Sequence, residues 1–196
     1  PSAEREISLV TGAAIAGALR EKGYNVAEID LEPKKLAEQL AACGAKVVFN
    51  AVHGMYGEDG RLQTLLEMLE MPYTGSGMLA SALGMDKAAS KRILQAAGIA
   101  TPKALIFVKG EAADYRSKIM SVFQKLPVVI KAATQGSSIG VEIVDNEADI
   151  DAAVQKAFAY SREVVVEEFI RGKELTVAIM QDGGKTVALP VINIVP

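Results

Sequence analysis

A lysine that closes an apolar run and is followed by two glycines and two serines is an arrangement suited to anions. This chain carries one at Lys131-Ala-Ala-Thr-Gln-Gly-Ser-Ser-Ile-Gly140. The run 127–131 reads as a buried strand ending in a cation, and 135–140 turns back into a second strand over 141–144. Glycine lets the backbone come close to a ligand, exposed N–H groups can bond phosphate oxygens, and Ser137 and Ser138 add hydroxyl donors. An ordinary polar hairpin would use the same residues, because Gly-Ser-Ser is frequent in turns.

A second group is acidic. Glu163, Glu167, Glu168 and Glu174 surround an apolar strand and its end, with Phe169 and Ile170 beside them. Carboxylates in that position can accept from an amino group or from sugar hydroxyls while Phe169 and Ile170 sandwich a ring. A solvated strand end followed by a charged turn has the same letters. A phosphate grip and a nucleoside pocket on neighbouring hairpins would be the two halves of one ligand site. Lys87, with Lys91, opens a helix at Met85-Asp-Lys87, where the helix dipole and the ammonium groups favour phosphate; both also suit a wet helical face. Glu4, in the first turn of a helix, either complements the macrodipole or binds an ammonium. His53, the single histidine, follows the most apolar run at the edge where open sheets hold their ligands.

The elements that must position these residues change character along the chain. Apolar spacing predicts helices over 7–22, ending at Gly23, and over 34–42, with strands over 25–31 and 46–52. Helices follow through Leu69 and from Met78, so the first part is expected to be an α/β domain with a parallel sheet. Past a boundary between 85 and 102 the pattern becomes a strand (104–108), a helix (112–126), the grip hairpin, a helix (147–160), a strand (163–169) and a hairpin across 181–185. That order predicts an α+β unit with a mostly antiparallel sheet. Domains are therefore expected at 1–90, 91–180 and 181–196. Ser2 reads as the N-cap of a helix with no strand before it, and the apolar end 187–196 reads as a strand needing a partner, so a portion of a longer protein is expected.

Of 196 residues, 50% are hydrophobic and 23% charged, enough for substantial cores. A net charge of −3 without a basic stripe argues against nucleic acid, and no apolar run is long enough to span a bilayer. One cysteine and one histidine make neither an intrachain disulfide nor a His/Cys zinc site, and a cytoplasmic enzyme fits best.

The assembled motifs resemble the D-alanine:D-alanine ligases of bacterial cell-wall synthesis, in the ATP-grasp superfamily. The resemblance runs nearly end to end, through Ser2-Ala-Glu-Arg-Glu-Ile-Ser8, His53-Gly-Met-Tyr-Gly-Glu-Asp-Gly60 with Gln63, Pro72-Tyr-Thr-Gly-Ser-Gly77, Ala80-Ser-Ala-Leu-Gly-Met-Asp-Lys87, the grip, and Val166-Glu-Glu-Phe-Ile-Arg-Gly-Lys-Glu174. It implies a pre-ATP-grasp N-terminal domain and a central ATP-grasp subdomain. By similarity Lys87 and Lys131 contact ATP phosphates, Glu167 takes the adenine amino group, Glu168, Phe169 and Ile170 line the base pocket, and Glu174 binds ribose. Ser137 and Ser138 sit on the loop that closes over phosphate and substrate; Glu4 holds the first D-alanine's ammonium, bonded to Ser137, with His53 near the same substrate. The implied reaction phosphorylates one D-alanine carboxylate with ATP and lets the amine of a second displace phosphate, for peptidoglycan precursor synthesis. A homodimer is the family habit.

Ala132 stands where family members commonly have proline. The resemblance places the lid residues and the ligands of magnesium beyond Pro196, so no metal ligand is expected in this chain. Three other readings remain at this point: a shortened ATP-grasp nucleotide-binding module, a D-alanine:D-lactate or D-serine relative, and a reductase's dinucleotide domain. For the last the nearest fingerprint, Gly75-Ser-Gly-Met-Leu-Ala80, has no acid at the required distance.

Overall fold

A computed structural model describes residues 4–111 and 114–195. The expected cap at Ser2 lies outside them. Helix α1 (Arg5–Glu21) runs where apolar spacing placed it. Arg20 in its last turn pairs with Glu28 at 2.7 Å and donates to the Val26 carbonyl at 3.0 Å, tying the following segment back to the helix.

The expected parallel sheet is not seen among the described residues. Instead, 25–31 is extended chain without a ladder, and of 46–52 only Val48 pairs, in a single parallel bridge with Tyr73. A strand exists through its partners. Among the described residues Val48 donates its N–H to the Pro72 carbonyl and accepts from the Thr74 N–H, while the tie from Arg20 to Val26 is a side chain's. The apolar residues expected in those strands are nevertheless used. Ile29, Leu31, Val48 and Val52 pack on Leu36 and Leu40 of α2 (Leu36–Cys43) and on Leu62 and Leu66 of α3 (Arg61–Met68).

Helix α4 (Met78–Met85) turns into α5 (Lys87–Ala96) at Asp86, whose carboxylate accepts from the Ala88 and Ala89 N–H groups at 2.9 and 3.0 Å. This N-cap satisfies two donors that the helix itself leaves open. It also fixes the direction in which α5 presents Lys87 and Lys91, four residues apart and hence on one face.

Strands β1 (Ala104–Val108), β2 (Val128–Ala132), β3 (Val141–Val144) and β4 (Glu163–Glu168) form one antiparallel sheet in the order β1-β4-β2-β3. The period of two divides β4 between two layers. Val164 and Val166, with Val128, Ile130 and Phe107, face α6 (Tyr115–Phe123) and α7 (Ile150–Phe158) and form the main core with Ile119, Val154 and Phe158. Each such side chain, fully withdrawn from water, contributes about 1.5–3 kcal/mol. Val165 faces the other way, against Ala88 and Ala133, so α5 lies on the sheet's second face. Beyond β4, β5 (Glu174–Thr176) pairs with β8 (Ile192–Ile194), and β6 (Ile179–Asp182) with β7 (Lys185–Ala188) across the expected Gly183-Gly184 turn.

Candidate functional site

The register of the sheet builds the site. Val129 of β2 lies opposite Glu167 of β4, so Lys131, two residues along the same face, sits diagonally across from that carboxylate. The Lys131 ammonium donates to Glu167 Oε2 at 2.5 Å. From the layer above, Lys91 of α5 reaches Glu167 Oε1 at 2.8 Å. Burial works against the Glu167 carboxylate, but hydrogen bonds from Lys131 and Lys91, and then their charges, outweigh it and hold its pKa below the usual range. Lys87, one turn before Lys91, donates to the Gln135 carbonyl at the start of the grip, and its backbone N–H bonds the Ala133 carbonyl at 2.9 Å. Burial, then the neighbouring Lys131 charge, lowers the Lys87 pKa; Glu167 and Asp86 pull the other way. Two ammonium groups, of Lys131 and Lys91, thus bond one buried carboxylate, and a third, of Lys87, lies close enough to feel its charge while bonded to the grip.

The grip is held at both ends. Its return strand bonds back through the Ala132 N–H to the Gly140 carbonyl at 2.8 Å, and Gln135 donates to the Tyr160 carbonyl at 3.2 Å. Ser137 and Ser138 are exposed at its tip, Ser137 with φ +53°.

Across the grip, facing the N-terminal part, lies a pocket of about 510 Å³ lined by Asn50, Glu58, Gln63, Lys87, Gln135 and Ser137 among others. Its wall is acidic. A Cβ added to Gly136 would lie 3.3 Å from Glu4 Oε2 and 3.7 Å from Glu58 Oε2, so both carboxylates crowd the backbone of the grip. Gly54, at φ +67°, has no room for a side chain beneath Glu4. Glu58 accepts from the Gly54 N–H at 2.8 Å. His53 stands behind it, with Nε2 3.0 Å from Thr11 Oγ1 and Nδ1 3.9 Å from Glu58 Oε1.

The structure therefore gathers Lys131 and Glu167 beneath α5, Glu4 and His53 on the α1 side, and Lys87 and Ser137 at the pocket between them. Among the described residues no hydrogen bond joins Glu4 to Ser137; the Glu4 carboxylate approaches the grip at Gly136. Glu168 is also redirected. One residue past Glu167, it points to the opposite face of the sheet, where Oε1 accepts from the Lys103 N–H at 2.8 Å, a bond that closes the start of β1. Phe169 lies under the Arg171 guanidinium at 5.9 Å, and Ile170 and Glu174 are exposed beside it. One contributor, Glu58, was not singled out from sequence, though it had a signal as an acid inside the loop 53–60 expected at the ligand edge; Lys91, noted beside Lys87 as a phosphate-attracting cation, instead bonds Glu167.

By fold and site this is an α+β protein with lysines gathered under a glycine–serine hairpin, the build of a protein that holds an anionic ligand. Comparison with known proteins makes the assignment specific. The family described as D-ala D-ala ligase C-terminus matches residues 93–196, and D-ala D-ala ligase N-terminus matches 27–76. A D-alanine–D-alanine ligase of Carboxydothermus hydrogenoformans is 45% identical over 99% of this chain and 62% of its own length. The crystal structure of a D-alanine–D-alanine ligase from Bacillus anthracis complexed with ATP superposes with a TM-score of 0.84 at 34% identity, covering 100% of this chain and 63% of that one. A D-Ala:D-Ser ligase from Enterococcus faecalis is more distant, with a TM-score of 0.66 at 33% identity over 76% of this chain and 43% of that one. The chain belongs to the D-alanine–D-alanine ligase family. It spans about three-fifths of the length of the curated relatives it matches.

Proposed function

We propose that the full-length protein joins two D-alanines into D-alanyl-D-alanine at the expense of ATP, through an acyl phosphate of the first D-alanine, for peptidoglycan precursor synthesis. The observation that carries this reading is the opposed charge around the grip: the ammonium groups of Lys87 and Lys131, with Lys91 bound to Glu167 behind them, and the carboxylates of Glu4 and Glu58 that approach Gly136. A reaction between a polyanion and an amino acid needs both, with the transferred phosphoryl between them.

The donor set fits a nucleoside triphosphate. Lys87 and Lys131 neutralise phosphate oxygens, Ser138 and the grip N–H groups add donors, and Glu167 accepts from the adenine amino group while Phe169 and Ile170 cover the ring and Glu174 takes the ribose hydroxyls. Glu168 supports this pocket from the opposite face through Lys103. Glu4, with Glu58 beside it, holds the ammonium of the first D-alanine, His53 lines the same substrate, and Ser137 directs the carboxylate toward phosphate. A carboxylate is a poor electrophile because oxide is its leaving group; phosphorylation supplies a better one. What these residues contribute is positioning, charge neutralisation and exclusion of water. Magnesium, which this reading pairs with ATP, is assigned no residue: among the described residues no group of three or more His, Cys, Asp or Glu could hold a metal ion.

The same reading divides the chain into a substrate-binding part at 1–90, with the Val48–Tyr73 bridge belonging to a parallel pre-ATP-grasp sheet, a nucleotide-binding ATP-grasp part at 91–180, and the opening of a catalytic part at 181–196. It also implies a cytoplasmic homodimer. Among the described residues no helix is long and apolar enough to cross a membrane. In the full-length protein, phosphate release should require ATP, magnesium and D-alanine together; release indifferent to D-alanine would reject the assignment.

A further inference from the structure

Among the described residues only Lys91 and Glu167 are both charged and buried, at 6% and 8% exposure. Lys91 does not face the cleft in the way Lys87 and Lys131 do. Its ammonium is spent on two interior acceptors, the Pro102 carbonyl at 2.6 Å and Glu167 Oε1 at 2.8 Å. Withdrawing an ammonium and a carboxylate from water is costly, and apolar residues of similar size often serve stability as well or better. The pair therefore calls for a reason beyond stability. Glu167 supplies one, because its two oxygens have unlike partners: Oε1 is fixed on enclosed Lys91, and Oε2 on Lys131, which is four times more open at 27% side-chain exposure against 7%.

This inference rests on the nucleotide reading of the site. We propose that Lys91 is a positioning residue that locks one oxygen of Glu167 in place, so that the other passes from Lys131 to the exocyclic amino group of the base, making the pocket selective for a 6-aminopurine. Polyphosphate, attracting Lys131, frees Oε2 to accept. Lys91 keeps the group aimed and ionised during that exchange. An ionised acceptor rejects a 6-oxopurine, whose carbonyl brings a second acceptor against it; a carboxyl released from Lys91 can take up a proton or rotate and tolerates either base.

The test is the ratio of dissociation constants for inosine triphosphate and ATP, measured by calorimetry with magnesium on the full-length chain. The parent should favour ATP about tenfold or more, the usual scale for a hydrogen bond to a charged group. Lys91→Met should bring the ratio near parity. In a Glu167→Gln background, adding Lys91→Met should leave the ratio where Glu167→Gln alone put it, because Lys91 then has no carboxylate to aim. If Lys91→Met alone does not fold, Lys91→Gln, which keeps a neutral donor beside Glu167 but removes the charge, takes its place and should also lower the ratio several-fold, a parent-like ratio overturning the role. A parent-like ratio in Lys91→Met, or a further change in the double variant, would overturn the role of Lys91 while leaving the nucleotide reading intact. A parent that binds neither triphosphate would remove the nucleotide reading itself, and this inference with it.

Discussion

Replacing Gly140 by alanine isolates what the grip demands of its last residue. Gly140 has φ +67°, a conformation that costs an L-residue about 1–2 kcal/mol. An added Cβ would also stand 2.8 Å from the Ala132 Cβ and 3.2 Å from Tyr160 Cδ2. The Tyr160 ring is half exposed and can give a few tenths of an ångström. Ala132 cannot, because it is fully buried in β2 and its N–H is bonded to the Gly140 carbonyl. Overpacking of this kind adds about 1–3 kcal/mol. Gly140→Ala should therefore destabilise by about 2–5 kcal/mol in total. Gly98 is the control: it has φ +72° but nothing within 4 Å of an added Cβ, so Gly98→Ala should cost only the conformational part, about 1–2 kcal/mol. The chain has no tryptophan, so urea unfolding is best followed by far-ultraviolet circular dichroism. With a slope of about 2 kcal/mol per molar, the Gly140 variant should unfold roughly 0.5–1.5 M earlier than the control. Equal midpoints would show that close packing of the grip on β2 is not what requires glycine there.

Three further outcomes follow from the same structure. Asp86→Ala removes the acceptor for two helix N–H groups and should cost about 1 kcal/mol by urea unfolding, whereas an unchanged midpoint would deny the cap. Tyr73 has its pKa pushed up from 10.0 to about 12, first by burial and then by its hydrogen bond to Glu67 and that residue's charge. An acid with a raised folded-state pKa stabilises fully below its unfolded value and loses that contribution as pH rises through the folded one; stability should therefore fall between pH 10 and about 12, and less so in Tyr73→Phe, identical curves for the two proteins counting against it. Ile170, 61% exposed, should be replaceable by serine with stability unchanged within about 0.5 kcal/mol, while ATP affinity of the full-length chain drops roughly tenfold; unaltered affinity would take Ile170 out of the pocket.

How much was legible beforehand depended on whether the signal was local. The grip, the strand 104–108, the acidic strand end and the Gly183-Gly184 turn are each written in a few adjacent residues, through period-two burial and turn chemistry, and the structure has them in place. The segments 25–31 and 46–52 show the limit. Their apolar content predicted burial only in part: Ile29, Leu31, Val48 and Val52 pack on the Leu36–Leu66 core, but Val47 and Phe49 stand 60% and 51% exposed, and a ladder needs a neighbouring backbone that local pattern does not specify. Glu168 is a register effect of the same kind: adjacent acids read alike in sequence, yet the pleat sends Glu167 to the lysines and Glu168 to Lys103. The Lys91–Glu167 bond was hidden because it joins a helix to a strand 76 positions on, and only the stacking of α5 on the sheet brings them together.

That stacking also fixes the direction in which a ligand can lie. On the α5 side of the grip Lys91 and Lys131 share the Glu167 carboxylate and Lys87 stands nearby with Asp86, so positive charge is in slight excess and a polyanion is favoured there. On the α1 side Glu4 and Glu58 lie against Gly136 and Gly54, with His53 Nδ1 3.9 Å from Glu58 Oε1, so carboxylates predominate there and a cationic group is favoured. The grip separates the two by a few residues of backbone whose N–H groups suit whatever passes between. A phosphorylated nucleotide entering the wrong way round would set its phosphates against Glu4 and Glu58 and leave Lys87 and Lys131 facing a neutral base. An amino acid reversed would place its carboxylate against the same two acids. Each misorientation brings like charges together in a partly buried cleft, where screening is reduced, so under the proposed function the polarity of the grip would align the nucleotide and the amino acid before either makes a specific contact.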